Sequence, residues 1–157
     1  MQLILGVRCS SSEYSYAALK GSKQKPEILA SGRVAFPRSF AQPQRLKWLL
    51  QEISTILEKH KISEVSIKVT EGIASRGKSF VIRVENEAIV QLAAATKGIK
   101  PVYKKVYCTI AKNLGLKGKA KCLATDLDYS VFPNFDKMHV SIQDAILVAW
   151  SSLYDNR

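Results

Sequence analysis

From Ala88 to Thr125 the chain contains no aspartate or glutamate, yet eight lysines fall in the same stretch: Lys97, Lys100, Lys104, Lys105, Lys112, Lys117, Lys119 and Lys121. Other scarcities narrow the function classes. No run approaches the ~20 apolar residues that span a bilayer, which excludes a membrane-spanning helix. The apolar opening Leu3–Val7 has no basic segment before it, so no secretory signal is expected. The three cysteines, Cys9, Cys108 and Cys122, are odd in number and lack C-x-x-C spacing. That pattern suits a reducing cytoplasm, with free or buried thiols rather than disulfides. Cys9 has no identifiable histidine partner and reads as packing at a strand end, not as a nucleophile. His60 and His139 are too isolated to build a zinc site. G-x-x-x-x-G-K-[ST] does not occur, so nucleoside triphosphate binding has no support.

What the sequence does contain is ordinary in bulk and unusual in charge. Its 157 residues, 46% hydrophobic and 24% charged, fit one globular domain over 1–157, large enough to bury roughly 70% of its unfolded surface. Lysine and arginine outnumber aspartate and glutamate 24 to 13, a net charge of +11. Such an excess favours polyanions, and nucleic acid is the commonest one in a cytoplasm.

Hydrophobic periodicity orders the chain. Leu3 to Arg8, Glu13 to Lys20 and Ile28 to Phe36 read as three strands with short links, an antiparallel meander that Pro37 ends. Tyr14, Tyr16 and Ala18 share one face of the second. Leu46, Leu49, Leu50, Ile53, Ile56 and Leu57 recur at helical steps, with Pro43 in the first turn. Glu64 to Thr70 alternates Val65, Ile67 and Val69 with polar residues, the period of a half-buried strand. A second helix is expected from about Ser79 to Thr96 on Phe80, Val84, Ala88 and Leu92, with Gly98 as its stop. Pro101 to Tyr107 reads as a fifth strand, Thr109 to Leu116 as a short helix, and Ser141 to about Tyr154 as the last helix. Asp126 to Val140 is the least regular segment. The class is α/β, in the order β-β-β-α-β-α-β-α.

This order, with Leu5-Gly6-Val7 on the first strand, Val65-Ser66-Ile67-Lys68 on the fourth and Asp144-Ala145 on the last helix, resembles the RuvC/YqgF branch of the RNase H-like superfamily. Glu87-Ala88-Ile89-Val90-Gln91-Leu92 and the run Thr109 to Gly115 through Gly118-Lys119-Ala120-Lys121 add to the likeness. Small uncharacterised bacterial proteins of this layout look closer still, especially over Lys68 to Leu92. The resemblance implies an RNase H-like mixed sheet and a nuclease ancestry. Active members gather three or four carboxylates around two divalent ions that clamp the attacking and leaving oxygens of a phosphodiester. At the family's acidic positions this chain carries Arg8, Lys68 and Ser141, and only Asp144 matches. Two cations there would repel Mg²⁺.

The resulting expectation is a nucleic-acid-binding domain that has lost nuclease activity, with no cofactor and no resident metal, DNA being the first candidate ligand. Lys112, Lys117, Lys119 and Lys121 are the candidate phosphate contacts, joined by Arg8 and Lys68. The glycines of Gly115-Leu116-Lys117-Gly118-Lys119-Ala120-Lys121 would let backbone approach a phosphate. Tyr103 and Tyr107 could stack on bases, though such tyrosines are more often core. Two other readings stay open. One is a Mg²⁺- or Mn²⁺-dependent endonuclease using Asp144 and Glu71. The other is a regulatory subunit docking an acidic protein. RuvC-like domains are often dimers, but the apolar helix faces here can all be absorbed by one core. For Asp144 itself the preferred role is structural, as part of the capping-box-like Ser141-Ile142-Gln143-Asp144.

Overall fold

Seven mostly apolar residues make β1 (Leu3–Cys9), and its two faces set the layout of the whole molecule. Leu5, Val7 and Cys9 enter one hydrophobic core, while Ile4 belongs to a second core on the opposite side. The computed structural model describes residues 1–71, 77–117 and 119–156. β2 (Glu13–Gly21) and β3 (Pro26–Ala35) continue as the expected meander. β4 (Glu64–Lys68) and β5 (Val102–Lys105) add on the other edge in parallel, giving the order β3-β2-β1-β4-β5.

Helices cover both faces. α1 (Gln42–Lys59) lays Leu49, Ile53 and Leu57 against Leu5, Val7, Tyr14 and Ile67, each such side chain worth roughly 1.5–3 kcal/mol of burial. α2 (Lys78–Thr96) joins the same layer. The other layer holds α3 (Tyr107–Asn113), the one-turn α4 (Cys122–Thr125) and α5 (Val140–Trp150). Gly115, at φ +84°, closes the end of α3 in the left-handed region that favours glycine. The irregular segment before α5 forms two short 3₁₀ turns, Tyr129–Val131 and Phe135–Lys137. Phe132 beside them packs edge-on to Trp150 at 5.0 Å between ring centroids.

Gly6 sets how closely α5 lies on β1. A Cβ at that position would stand 2.0 Å from the carbonyl oxygen of Ala145 and 2.8 Å from the Ala149 Cβ. With glycine there and alanines opposite, the helix sits flush on the strand. Its first half is thereby brought over the C-terminal end of β1.

Four expectations need correction. The helix over 78–96 turns a different face inward: Asn86, Glu87, Val90, Ala93 and Ala94 are buried, whereas Val84 and Leu92 are 42% and 50% exposed and Ala88 faces solvent. β4 is not half-buried, because Glu64, Ser66 and Lys68 are as covered as Val65 and Ile67. The fifth strand ends at Lys105, and Tyr107 opens α3 instead of ending a strand. One turn of helix at Cys122–Thr125 had no signal in the periodicity.

Candidate functional site

Because β1 and β4 are parallel neighbours, both C-terminal ends emerge on one side of the sheet, under the first half of α5. That places Arg8, Lys68 and Asp144 together. Arg8 Nε stands 3.1 Å from Asp144 Oδ2, and Tyr107 donates its hydroxyl to the same oxygen at 2.7 Å. Lys68 Nζ donates to Glu71 Oε2 at 2.7 Å and to the Val69 carbonyl at 2.9 Å. The ammonium also sits 4.0 Å from the centroid of the Tyr107 ring. Glu71 Oε1 accepts the Tyr107 backbone N–H at 3.3 Å. Alongside, α2 contributes an i,i+4 pair, Arg83 Nε to Glu87 Oε2 at 3.5 Å, and Glu87 Oε2 accepts the Thr70 N–H at 2.9 Å. Three cations and three carboxylates thus cancel in charge at the wall of a cleft of about 480 Å³.

Depth divides these groups. The side chains of Lys68 and Asp144 are each 3% exposed and that of Glu87 6%, while Arg8, Arg83 and Glu71 reach the cleft surface. Burial pushes the Asp144 carboxyl above its ordinary value, against the opposing pull of Tyr107 and Arg8. Glu87 is raised for the same first reason, with the Thr70 N–H and Arg83 working the other way. Burial lowers the Lys68 ammonium, and Glu71 pulls it back. The Tyr107 phenol is held above its usual range by burial and by its bond to Asp144.

A pair of Mg²⁺ or Mn²⁺ ions needs several free, hard anionic oxygens converging from different sides. The donor set here does not fit. Asp144 Oδ2 is taken by a guanidinium and a phenol, both Glu71 oxygens are engaged, and two cations stand where further carboxylates would be required. Among the described residues no three His, Cys, Asp or Glu side chains gather in a metal-binding group. The third acidic position holds Ser141, whose Oγ accepts from Ser15 Oγ at 2.9 Å and lies 2.7 Å from His139 Nδ1.

Asp144 is not part of a helix cap. The cap of α5 is His139, whose ring accepts the Ser141 N–H, and Asp144 lies one turn further in. Lys68 and Arg8 both line the cleft, but the Lys68 ammonium is buried and bonded to Glu71 and to the Val69 carbonyl, which leaves Arg8 the more exposed cation of the pair. Lys112 in the last turn of α3, Lys117, Lys119 and Lys121 are exposed, and they follow Tyr107 along the chain. Of the glycine–lysine segment, Gly118 lies outside the described residues. Cys9 is fully buried, with its thiol pushed up to about 12 by burial, which leaves it a packing residue. Sequence reasoning missed Arg83 and Glu87, and offered Tyr107 as a base-stacking or core residue instead of a partner of Asp144. The first two had a signal, an i,i+4 opposite-charge pair on one side of a helix.

No protein-family model and no curated protein sequence matches this chain. Among solved structures, RuvC of Thermus thermophilus in complex with a Holliday junction substrate aligns over 96% of this chain and 92% of its own, with a TM-score of 0.73 and 14% identity. A second structure of Thermus thermophilus RuvC gives the same values. The yeast mitochondrial Holliday junction resolvase Ydc2 aligns over 96% of this chain and 78% of its own, at TM-score 0.58 and 12% identity. This chain therefore has a RuvC-like RNase H-like fold.

Proposed function

We propose that this chain is a nucleic-acid-binding domain in which the two-metal nuclease centre of the fold has been replaced by a neutral ion-pair cluster. The observation that carries the reading is the Arg8–Asp144 ion pair at 3.1 Å, a guanidinium set against the one acid that matches the family pattern, close in distance but outside hydrogen-bonding geometry at Nε. A group so placed holds the carboxylate and repels a divalent ion. Binding is assigned to Lys112, Lys117, Lys119 and Lys121, which make no ion pair among the described residues, with Arg8 lining the cleft. They lie in or beside the acid-free stretch that dominates a chain of net charge +11. RuvC was solved on a Holliday junction, so branched DNA is the first ligand to offer.

Two measurements on one preparation test this. Fluorescence anisotropy with branched and single-stranded DNA should give an affinity that falls steeply as KCl rises. Calorimetric titration with Mn²⁺ should show no site that Asp144→Asn removes. Salt-insensitive affinity overturns the binding assignment; metal-dependent cleavage that EDTA and Asp144→Asn both abolish overturns the reading in favour of an endonuclease on Asp144 and Glu71.

One observation favours a protein contact in addition. Val81, Val84 and Leu92 on α2 are 52%, 42% and 50% exposed and recur on one face, an apolar stripe that the core does not absorb. A homodimer through α2 would cover it. Light scattering should then report a dimer for the parent and a monomer for Leu92→Lys.

A further inference from the structure

At the far end of α5, about 10 Å along the helix from Asp144 at 1.5 Å per residue, a second cleft of about 460 Å³ opens between β5, α3 and the C-terminal tail. Its floor is Lys105, the last residue of β5, which is 8% exposed. The ammonium donates to Ser151 Oγ at 3.1 Å and to Ser152 Oγ at 2.8 Å. Those hydroxyls are themselves committed, Ser151 to the Val148 carbonyl at 2.7 Å and Ser152 to Ser66 Oγ at 2.6 Å. Lys105 differs from Lys68 in one decisive way: among the described residues no carboxylate stands within ion-pairing distance of it.

The groups facing this ammonium are mostly cationic or neutral. Lys23 reaches in from the β2–β3 turn, and its own partner is Asp155, 3.6 Å away with a side chain 71% exposed. Lys104 and Tyr103 come from β5, the Tyr103 ring centroid lying 5.1 Å from the Lys105 Nζ. Tyr154 and Asp155 come from the tail. Glu64 on β4 favours the charge from a distance, but its Oε1 already accepts from Gln2 Nε2 at 2.9 Å. The negative end of the α5 dipole contributes about half a charge, against three lysines. Burial, then Lys23, holds the Lys105 ammonium down to about 8.

The walls are held in place. Trp150 Nε1 donates to the Lys23 carbonyl at 2.8 Å, and the Lys23 N–H bonds the Tyr154 carbonyl at 2.9 Å. On α3, Thr109 and Asn113 share a helical face and present a hydroxyl and an amide to the cleft. A buried cation lacking a carboxylate, two further lysines and neutral hydrogen-bond donors make a site for a compact dianion.

We propose that this cleft binds a phosphate group, with Lys105, Lys23 and Lys104 supplying charge and Thr109 and Asn113 donating hydrogen bonds. The volume lies within the range of small-molecule pockets, roughly 300–1,000 Å³, and leaves room for an organic group attached to the phosphate. A bound dianion supplies the countercharge that Lys105 lacks, so affinity follows protonation of that amine and falls as pH rises through about 8. This site is independent of the nucleic-acid reading of the lysine surface.

The test is thermal unfolding with inorganic phosphate against chloride of equal ionic strength, at pH 7 and pH 9.5. Phosphate should raise the melting temperature more at pH 7. Lys105→Met should lose the increment, while Lys105→Arg, always charged, should keep it at both pH values and confirm that position 105 still folds. A parallel arm uses an oligonucleotide without terminal phosphates. Lys105-dependent stabilisation by inorganic phosphate assigns a small phosphorylated ligand; the same dependence with the oligonucleotide alone, whose phosphodiesters carry one charge each, overturns the dianion site in favour of a nucleic-acid backbone. Equal stabilisation of the parent and Lys105→Met overturns the proposal, as does no response of either to phosphate or oligonucleotide.

Discussion

Two basic regions of this molecule treat their charge in opposite ways. Around the ends of β1 and β4, Arg8, Lys68 and, from α2, Arg83 each face a carboxylate, and the group is close to neutral. Along α3 and the segment after it, Lys112, Lys117, Lys119 and Lys121 are exposed with no ion pair among the described residues. Charge that is buried must be compensated within the protein; charge on the surface is compensated by water, salt or a ligand. The cluster should therefore govern stability and the surface should govern binding, and each can be disturbed without the other.

The largest effect expected is on folding. Arg8→Ala leaves Asp144, 3% exposed, with Tyr107 as its remaining polar partner, and should cost about 3 kcal/mol in urea unfolding, as for a broken buried pair. Arg8→Met combined with Asp144→Leu removes both charges and should recover most of that loss. A double variant as unstable as Arg8→Ala would show that the charges were not what made the site costly to disrupt. DNA affinity should change far less than stability, because Arg8 is one cation beside four lysines.

Next comes binding. Replacing Lys112, Lys119 and Lys121 together with Gln should flatten the plot of log affinity against log salt by about 0.9 for each phosphate no longer neutralised. Unfolding should move by no more than about 0.5 kcal/mol, the usual range for surface changes. Unchanged salt dependence would move the binding surface elsewhere. Lys68→Met sharpens the contrast inside the cluster: Glu71, 34% exposed, can turn to water, so the cost should be about 1 kcal/mol, well below that of Arg8→Ala.

How far the sequence could be read follows the same division between neutral and charged interiors. The strand and helix order was legible because Leu5, Val7, Val65, Ile67 and the α1 leucines obey simple periods. The phase of α2 was not, because Asn86 and Glu87 take inward positions that periodicity assigns to apolar residues. Each is admitted by a partner far along the chain: Asn86 donates to the Ser10 carbonyl at 2.9 Å, and Glu87 accepts from Thr70. The polar alternates of β4 misled in the same way, Ser66 being satisfied by Ser152 and Lys68 by Glu71. Arg8 and Asp144 could be singled out by comparison with an acidic motif. Their direct pairing depends on the close approach at Gly6, which no pattern of residue types encodes.

The smallest expected effect is a slope with pH, and its sign separates a buried carboxylate from an ordinary one. Burial holds Glu87 above its usual 4.5, so the folded state takes up a proton before the unfolded chain does. A group raised in this way contributes stability that is present below its unfolded value and lost as pH rises through its folded one. Glu87→Gln keeps an acceptor for the Thr70 N–H but cannot titrate. The stability of the parent relative to this variant should therefore grow as pH is lowered toward 4.5 and shrink toward neutrality, in urea titrations at matched ionic strength. The opposite trend, with the parent losing ground in acid, would mean that Arg83 outweighs burial and that Glu87 behaves as a conventional paired carboxylate.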